Sequence, residues 1–255
     1  MIIDLHAHLL PGIDDGAADY EASLELASLA VDEGVSHMVM TPHHHNGQYI
    51  NHKKDVHEAV NALKEVYEEN RIELKIYAGQ EIRITENFLD YLYNGDLLSL
   101  DPNERYYLLE FPTASVPDFA LTLLKELVDQ GITPVIAHPE RNHAFAKNPN
   151  LLYEFINAGC LAQLTTSSYA GLYGEKLQTI CRDMIDLNLV HIFASDVHHI
   201  KHRPINMQAA FNLLEREYGQ DQVAYFKENA RAIFNGDDIS TRKPAKKKKK
   251  WFKLF

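Results

Sequence analysis

The chain of 255 residues carries 25 Lys and Arg against 36 Asp and Glu, a formal net charge of −11. A composition of 45% hydrophobic and 24% charged residues is that of a folded globular protein and excludes a fibrous or disordered chain. The acidic balance argues against nucleic acid as the main partner. No apolar run approaches the ~18 residues of a membrane helix, no basic signal region opens the sequence, and there are two cysteines, so we expect a cytoplasmic protein.

Seven short segments of β-forming apolar residues alternate with segments of helical periodicity. Several of the seven are apolar almost throughout, which is typical of strands buried on both faces of a parallel sheet. We predict strands at Ile2–Leu5, Val35–Met40, Leu74–Ala78, Tyr106–Phe111, Thr133–Ala137, Cys160–Thr165 and Val190–Ala194.

Three of the intervening segments carry apolar stripes at helical spacing. Asp19 is expected to cap the first helix, with Gly34 at its end, and Gly131 is expected to end the third. The stripes are Leu24, Ala27 and Val31; Val56, Val60, Leu63 and Tyr67; and Ala120, Leu123, Leu124, Leu127 and Val128. This alternation predicts one parallel α/β domain over residues 1–238, built either as a closed barrel or as an open sheet.

Metal-ligating side chains follow six of the seven predicted strands. In a closed parallel barrel the carboxyl ends of all strands open onto one face, so residues distant in sequence converge there. An open sheet would spread these residues in a row, so their pattern favours a barrel of seven β/α units. The candidates are five histidines and four carboxylates: His6, His8, His43, His138, His198, Asp15, Glu81, Glu110 and Asp196.

These residue types are those of a metal centre. In His6-Ala7-His8 both imidazoles lie on the same side, because strand side chains alternate with period two. Neutral imidazoles suit zinc, manganese or iron, and carboxylates can bridge two ions. Nine ligands exceed the about four to six that one ion takes, so two or three divalent ions are predicted. Three such ions against four carboxylates would leave a positive site suited to a phosphate dianion or a hydroxide.

Simpler interpretations remain open for several of these residues. The His6 and His8 pair is also consistent with a surface or capping role, and Asp14 and Asp15 with turn or N-cap positions. We interpret His44 and His45 as solvated neighbours of His43 rather than as ligands.

Two arginines are candidate phosphate ligands. Arg141 follows His138 closely in His-Pro-Glu-Arg, and its planar guanidinium suits two phosphate oxygens. A structural salt bridge to Glu140 or to a loop carboxylate is the alternative. Arg203 is a second candidate for substrate binding, again with a structural role as the alternative.

The candidate residues lie in six motifs that share one family resemblance. The motifs are Asp-Leu-His-Ala-His-Leu-Leu-Pro-Gly-Ile-Asp-Asp-Gly from Asp4, Thr-Pro-His ending at His43, Gly-Gln-Glu ending at Glu81, Leu-Leu-Glu-Phe around Glu110, Pro-Val-Ile-Ala-His-Pro-Glu-Arg at 134–141 and Ala-Ser-Asp-Val-His at 194–198. Over residues 1 to about 235 the sequence resembles the PHP (polymerase and histidinol phosphatase) superfamily. More closely it resembles the manganese-dependent protein tyrosine phosphatases of bacterial capsule and exopolysaccharide loci, the CpsB/YwqE type.

The resemblance implies a distorted (β/α)7 barrel with a trinuclear metal centre, in which a metal-bound hydroxide attacks phosphotyrosine. It implies that the nine candidates hold three divalent ions, with manganese expected and iron, zinc or magnesium as alternatives. Arg141 and Asp15 would be catalytic residues, and Arg141 would also bind the phosphate. The implied partner is the tyrosine-rich tail of a membrane-associated bacterial tyrosine kinase.

Other functions fit the same residues less well. A cysteine phosphatase needs Cys-x5-Arg, but Thr166 and Leu187 stand where the arginine would follow Cys160 and Cys181. A phosphatase acting on histidinol phosphate or another small phosphomonoester would keep the metal site, because loops choose the substrate. A non-catalytic, metal-stabilised binding subunit is a third alternative. No apolar stripe in the sequence fixes an oligomeric state.

The C-terminal residues 239–255 form a basic and aromatic segment that we expect to be flexible. Residues 240–255 carry eight Lys and Arg and no acid, so the rest of the chain sums to −19. Lysines and interfacial aromatic residues favour an anionic membrane surface, which predicts peripheral membrane contact through Trp251, Phe252, Leu254 and Phe255. A solvated tail without such contact is the alternative.

Overall fold

The computed structural model describes residues 1–248, which form nine strands, ten α-helices and one short 3-10 helix at Pro139–Arg141. The strands are β1 Ile2–Ala7, β2 Val35–Met40, β3 His43–His44, β4 Lys75–Ala78, β5 Glu81–Arg83, β6 Tyr106–Glu110, β7 Thr133–Ala137, β8 Leu161–Thr165 and β9 Ile192–Ala194. The helices are α1 Tyr20–Asp32, α2 Lys53–Glu69, α3 Phe88–Tyr93, α4 Ala120–Asp129, α5 His143–Lys147, α6 Pro149–Asn157, α7 Thr166–Tyr169, α8 Glu175–Asp186, α9 Met207–Tyr218 and α10 Gln220–Asn235.

The nine strands make seven staves of one parallel barrel. One sheet runs β1-β2-β4 and the other β3-β5-β6-β7-β8-β9, with every pairing parallel. Only residues 41–42 separate β2 from β3, and residues 79–80 separate β4 from β5, so each pair is one interrupted stave. The first and last staves meet where the Asp196 amide donates to the His6 carbonyl at 2.9 Å and Ala7 bridges Val197. The predicted distorted (β/α)7 barrel is confirmed.

The two faces of the staves pack against different partners. Leu109 and Ala162 belong to the large apolar cluster that includes helix residues such as Leu124. Leu108 and Leu161 belong to a second cluster on the other face. Side chains alternate between the two faces of a strand, so a residue two positions after Leu108 or Leu161 points to the same side, into the barrel. The polar residues at these positions therefore lie inside the barrel near its carboxyl end. That end is where the candidate site lies.

The helical stripe of α2 is confirmed, and that of α4 is confirmed except for Val128, which is half-buried. The stripe of α1 is wrong in part. Asp19 caps α1 as predicted, its side chain accepting from the Ala22 amide at 2.9 Å. The buried face of α1 includes Ser23 and Ala27, whereas Leu24 and Val31 are only half-buried. Ser23 is buried because its hydroxyl pairs with that of Tyr67 at 2.9 Å, a tertiary contact that hydrophobic spacing does not reveal.

The chain after α10 runs along the amino-terminal end of the barrel, opposite the candidate site. The Tyr106 hydroxyl, at the start of β6, donates to the Asp237 carbonyl at 2.6 Å. Further on, the Ala245 amide donates to the Leu187 carbonyl at 2.8 Å, just before β9. The basic segment is described as far as residue 248, and its remaining residues, 249–255, lie outside the described part. Within residues 1–248 no helix is long and apolar enough to cross a membrane.

Candidate metal centre

All nine predicted ligands meet at the carboxyl end of the barrel. They form three overlapping groups, each with donor atoms within 4.8 Å of one another. His43 belongs to two of these groups and so does Glu81. The groups are His8, Asp15, His43 and His198; His6, Glu81, His138 and Asp196; and His43, Glu81 and Glu110.

The barrel wall places these side chains, and two of them need unusual backbone conformations. Glu110 is the last residue of β6, as predicted, and Glu81 follows β4, as predicted, and opens the short strand β5. His138 has φ +32° and Asp196 has φ +52°, in the left-handed region that non-glycine residues rarely adopt. Such strain persists where the surrounding structure holds it, and it concentrates at functional sites.

Hydrogen bonds fix which imidazole nitrogens face the centre of the cluster. The Gln163 Oε1 accepts the His138 amide at 3.2 Å, so the His6 Nδ1 that lies 3.2 Å from the same oxygen is the donor. The Asp14 carboxylate accepts a hydrogen bond from His8 Nδ1 at 2.7 Å. His198 Nδ1 donates to the Asp196 carbonyl at 3.0 Å. In each neutral ring the lone pair is therefore on Nε2.

These lone pairs face one another and the carboxylates. His6 Nε2 and His8 Nε2 are 3.0 Å apart. His6 Nε2 is also 3.3 Å from both Glu81 and Asp196, and His8 Nε2 is 3.4 Å from Glu81. Some buried atoms have no hydrogen-bond partner, among them Glu81 Oε2 and His198 Nε2. Buried acceptors facing acceptors are costly, so this donor set fits divalent cations.

The pKa values of the clustered side chains also indicate that positive charge is favourable at this site. Burial lowers the pKa of His43, yet the facing carboxylates, led by Glu81, raise it to about 11. Burial, together with the Glu81 charge, raises the pKa of Glu110 to about 7. Burial also raises the pKa of Glu81, but His6 and His43 hold it well below its usual range. His43 and Glu110 therefore hold a proton more tightly than free side chains do, at positions where cations would bind.

The Asp14-Asp15-Gly16 motif serves the site through three different contacts. Asp14 forms the predicted turn, its Oδ1 accepting the Gly16 amide at 2.9 Å, and it also orients His8. Asp15 reaches His43 Nε2 at 3.2 Å and His198 Nε2 at 3.4 Å. A side chain at Gly16 would overlap the carbonyl and Cβ of His8, so only glycine lets the two segments approach this closely.

Both predicted arginines reach into the cluster. Arg141 Nη1 donates to Asp196 Oδ2, and Arg203 Nη2 lies 2.8 Å from each oxygen of the same carboxylate. Arg203 also lies 3.5 Å from Asp15. Glu140, named as an alternative partner of Arg141, is buried and accepts the Thr165 amide at 3.1 Å. The arginines therefore border the candidate ligands.

Three residues that support the site were missed from the sequence. Gln163 orients His6 as described, and the buried Asp4 accepts from the Ser195 amide at 3.0 Å and its hydroxyl at 2.5 Å, at the β1–β9 junction. Arg83 pairs with Glu110 at 2.9 Å. The available signal was a single polar residue inside an otherwise apolar strand, as in Gln163 and Asp4.

The interpretation of His44 as a solvated residue is wrong. Its side chain is fully buried, with its ring centroid 3.9 Å from that of His45 and its Nε2 3.6 Å from Asp96. The Asn51 amide donates to His44 Nδ1 at 3.2 Å, so Nε2 carries the proton of the neutral ring and offers no lone pair to a metal. Asp96 also accepts from the Lys53 amide at the start of α2. This group therefore stabilises the helix start.

A family model described as capsular polysaccharide synthesis, CpsB/CapC, matches residues 2–235. The chain belongs to the CpsB/CapC family. It is 39% identical over 255 residues to the tyrosine-protein phosphatase YwqE of Bacillus subtilis (strain 168), with all of both chains covered. It is 32% identical over 238 residues to the tyrosine-protein phosphatase CpsB of Streptococcus pneumoniae, covering 91% of this chain and 98% of the relative.

Solved structures agree with this CpsB/CapC assignment. One from a study of YwqE and CpsB, described there as metal-dependent tyrosine phosphatases, superposes with a TM-score of 0.94 at 39% identity, covering 97% of this chain and 100% of that one. The phosphotriesterase homology protein of Escherichia coli superposes with a TM-score of 0.58 at 12% identity, covering 91% and 98%. The second likeness shows the shared barrel fold alone.

Proposed function

We propose that this protein is a metal-dependent protein tyrosine phosphatase. The observation that carries the proposal is the convergence of histidine lone pairs, four carboxylates and two arginines at the carboxyl end of the barrel. The relatives named as tyrosine-protein phosphatases match the chain over nearly its full length. A site that binds cations and a dianion together suits hydrolysis of a phosphomonoester.

We propose three divalent ions, with manganese first among the alternatives, one for each group of donor atoms. Glu81 belongs to two of these groups, and its two carboxylate oxygens could serve two ions, whereas a neutral His43 has one lone pair and would hold only one ion. Bound divalent ions supply Lewis acidity, which lowers the pKa of a water and opposes negative charge on phosphoryl oxygens. The remaining work falls to the side chains of the chain itself.

Arg141 and Arg203 are proposed to bind the non-bridging oxygens of the phosphoryl group. A guanidinium fork matches two such oxygens and opposes the charge that spreads over them in an in-line displacement. Asp15 has a side chain that is 47% exposed, so it stands between the cluster and the solvent. The nearby His198 and His43 imidazoles hold its pKa far below the usual range. Asp15 therefore acts as an acceptor that orients water, not as an acid.

The leaving group needs little help in this reaction. A tyrosine phenolate has a pKa of about 10, so it departs without a strong general acid. The two cysteines offer no competing nucleophile, since Cys160 and Cys181 are buried and burial raises the pKa of the Cys160 thiol to about 12. This supports chemistry based on metal and water.

The test is phosphate release from a phosphotyrosyl peptide and from histidinol phosphate, each with Mn²⁺ and with EDTA. We expect metal-dependent release from the peptide and weak release from the small ester. The reverse preference would replace the substrate class. Absence of release from both, with metal shown to be bound, would leave a non-catalytic binding subunit. Comparison of Mn²⁺, Fe²⁺, Zn²⁺ and Mg²⁺ in the same assay identifies the metal.

We propose that the natural target is a tyrosine kinase of capsule or exopolysaccharide synthesis at the cytoplasmic face of the membrane. The support is the family description and the basic, aromatic sequence after residue 240. Lys243 and Ala245 contact the barrel end opposite the metal cluster, so membrane contact there leaves the site accessible. Each lysine near an anionic leaflet contributes about 1 kcal/mol.

Co-sedimentation with anionic vesicles tests the membrane proposal. The full chain is compared with a variant in which Lys248, Lys249, Lys250 and Lys253 are glutamine. We expect the parent to sediment with phosphatidylserine vesicles and the variant to stay in solution, with equal phosphatase activity for both. Equal sedimentation of the two proteins would refute membrane contact through these lysines.

A further inference from the structure

A cavity of about 260 Å³ opens beside the two arginines. It is lined by Arg141, Tyr173, Leu177 and Arg203. Arg141 also lines a smaller cleft of about 50 Å³, together with the candidate ligands Glu110 and His138. One guanidinium thus borders both the site for the phosphoryl group and a larger space with one aromatic and one aliphatic wall.

The aromatic wall belongs to a loop with a fixed conformation. Tyr173 follows β8, the one stave whose carboxyl end carries no predicted metal ligand. The Leu172 amide donates to the Ser167 carbonyl at 3.0 Å, and the Gly174 amide donates to the Gly171 carbonyl at 3.0 Å. Both glycines have positive φ, +88° and +97°, as this tight turn requires. Tyr173 is held here although its side chain is 37% exposed.

We infer that Tyr173 and Leu177 form a subsite for the aromatic ring of an aryl phosphate, which selects phosphotyrosine over alkyl phosphomonoesters. The inference rests on the proposed phosphatase function and names the residue that sets its substrate class. A cavity of about 150 Å³ already holds a benzene ring, so 260 Å³ has room for the tyrosine ring and its Cβ. With the phosphate on Arg141 and Arg203, the attached ring lies against the wall that these arginines share with Tyr173.

The ring contact should appear as selectivity rather than as a general loss of rate. An aromatic pair contributes enough to change an affinity by about 2- to 13-fold. For Tyr173→Ala we expect KM for a phosphotyrosyl peptide to rise by this factor, with kcat near that of the parent. KM for the same peptide carrying phosphoserine should not change. Tyr173→Phe keeps the ring and should behave like the parent.

A measurement of binding alone shows whether Tyr173 contributes to the affinity for the aromatic ring, independently of any effect on catalytic turnover. A peptide with phosphonomethyl-phenylalanine cannot be hydrolysed, and calorimetry with Tyr173→Ala should show the same loss of affinity. Tyr93→Ala is the matched control, because Tyr93 is an exposed tyrosine on α3 that contacts Gln130. The control should bind and hydrolyse like the parent.

The outcomes separate this inference from the proposed function. A parent that hydrolyses only alkyl phosphates would refute the proposed function itself. A parent that hydrolyses the phosphotyrosyl peptide, with Tyr173→Ala unchanged in KM and in affinity, would overturn the ring subsite alone. An equal rise of KM for the phosphotyrosyl and phosphoseryl peptides would also overturn it, because the effect would then act through the arginines.

Discussion

Asp14 is the carboxylate that fixes His8, and its replacement by asparagine tests how the metal centre is oriented. All three partners of Asp14 are donors. Its Oδ2 lies 2.7 Å from His8 Nδ1 and 3.2 Å from the His43 amide, and its Oδ1 lies 2.9 Å from the Gly16 amide. An asparagine has only one acceptor oxygen. If that oxygen faces His8, the NH2 group faces the Gly16 amide, which is also a donor. If the NH2 group faces His8 instead, the His8 ring must adopt the other tautomer to accept from it.

The size of the effect follows from the bond that is lost. A hydrogen bond to a charged group contributes about 1.5 to 3 kcal/mol, which corresponds to roughly 10- to 160-fold in an affinity. Loss of a carboxylate that orients a histidine ligand commonly costs ~10- to 100-fold in metal affinity. We therefore expect Asp14→Asn to weaken Mn²⁺ binding by one to two orders of magnitude.

Calorimetric titration of Mn²⁺ into chelator-stripped protein measures this change directly. The Mn²⁺ dependence of phosphotyrosyl peptide hydrolysis should shift by the same factor, while kcat at saturating Mn²⁺ recovers most of the parent value. Asp19→Asn is the matched control, since Asp19 only caps α1 and should leave Mn²⁺ affinity unchanged. An affinity of Asp14→Asn within twofold of the parent would refute the role of this carboxylate.

Three further changes give distinct outcomes. His191 is buried, with its Nδ1 accepting the Ala162 amide, and burial lowers its pKa from 6.5 to about 4. Because the imidazole binds a proton more readily in the unfolded chain, the folded state loses stability as the pH falls from about 6.5 to 4. Between pH 7 and pH 5 the titration of His191 lowers the free energy of unfolding by about 2 kcal/mol. Urea titrations should therefore show a smaller loss of stability over this range for His191→Asn than for the parent, and equal losses would contradict the role of His191. Gly16→Ala forces the loop away from His8, so it should lower the free energy of unfolding by about 1 to 3 kcal/mol and remove most of the Mn²⁺ affinity. A urea midpoint and a Mn²⁺ affinity like those of the parent would argue against the close approach of the two segments. Arg141→Ala should lower kcat/KM for the phosphotyrosyl peptide by about 10²- to 10³-fold and Arg141→Lys should recover only part of it, while full activity of the lysine variant would show that charge alone suffices.

The positions of the strands and of the candidate ligands were predictable because both depend on local signals. Strands buried on both faces are short apolar runs between helices, and all seven appear within a few residues of their predicted bounds. His43 and Glu81 were predictable because parallel strands in a barrel end on one face. The interruption of two staves at residues 41–42 and 79–80 was not, since hydrogen bonding between neighbouring staves decides where a strand is paired.

The contacts that orient the site were mostly hidden in the sequence. Gln163 is 157 residues from His6, and Ser195 is 191 residues from Asp4, so no local pattern links either pair. His44 stands beside a predicted ligand, yet its burial and its Asn51 contact direct the proton to Nε2 and remove it from metal binding. Only the packed chain decides such tautomers, because they depend on which donor or acceptor lies against each ring.

The sequence by itself determined the order of strands and helices, the residue types at the strand ends and hence the class of chemistry, because periodicity and ligand type are local properties. The tertiary structure decided which nitrogen of each histidine faces the centre, that both arginines reach Asp196, and that Tyr173 borders the same cavity. These features depend on distances of a few ångströms between residues far apart in the chain, and closure of the barrel sets those distances.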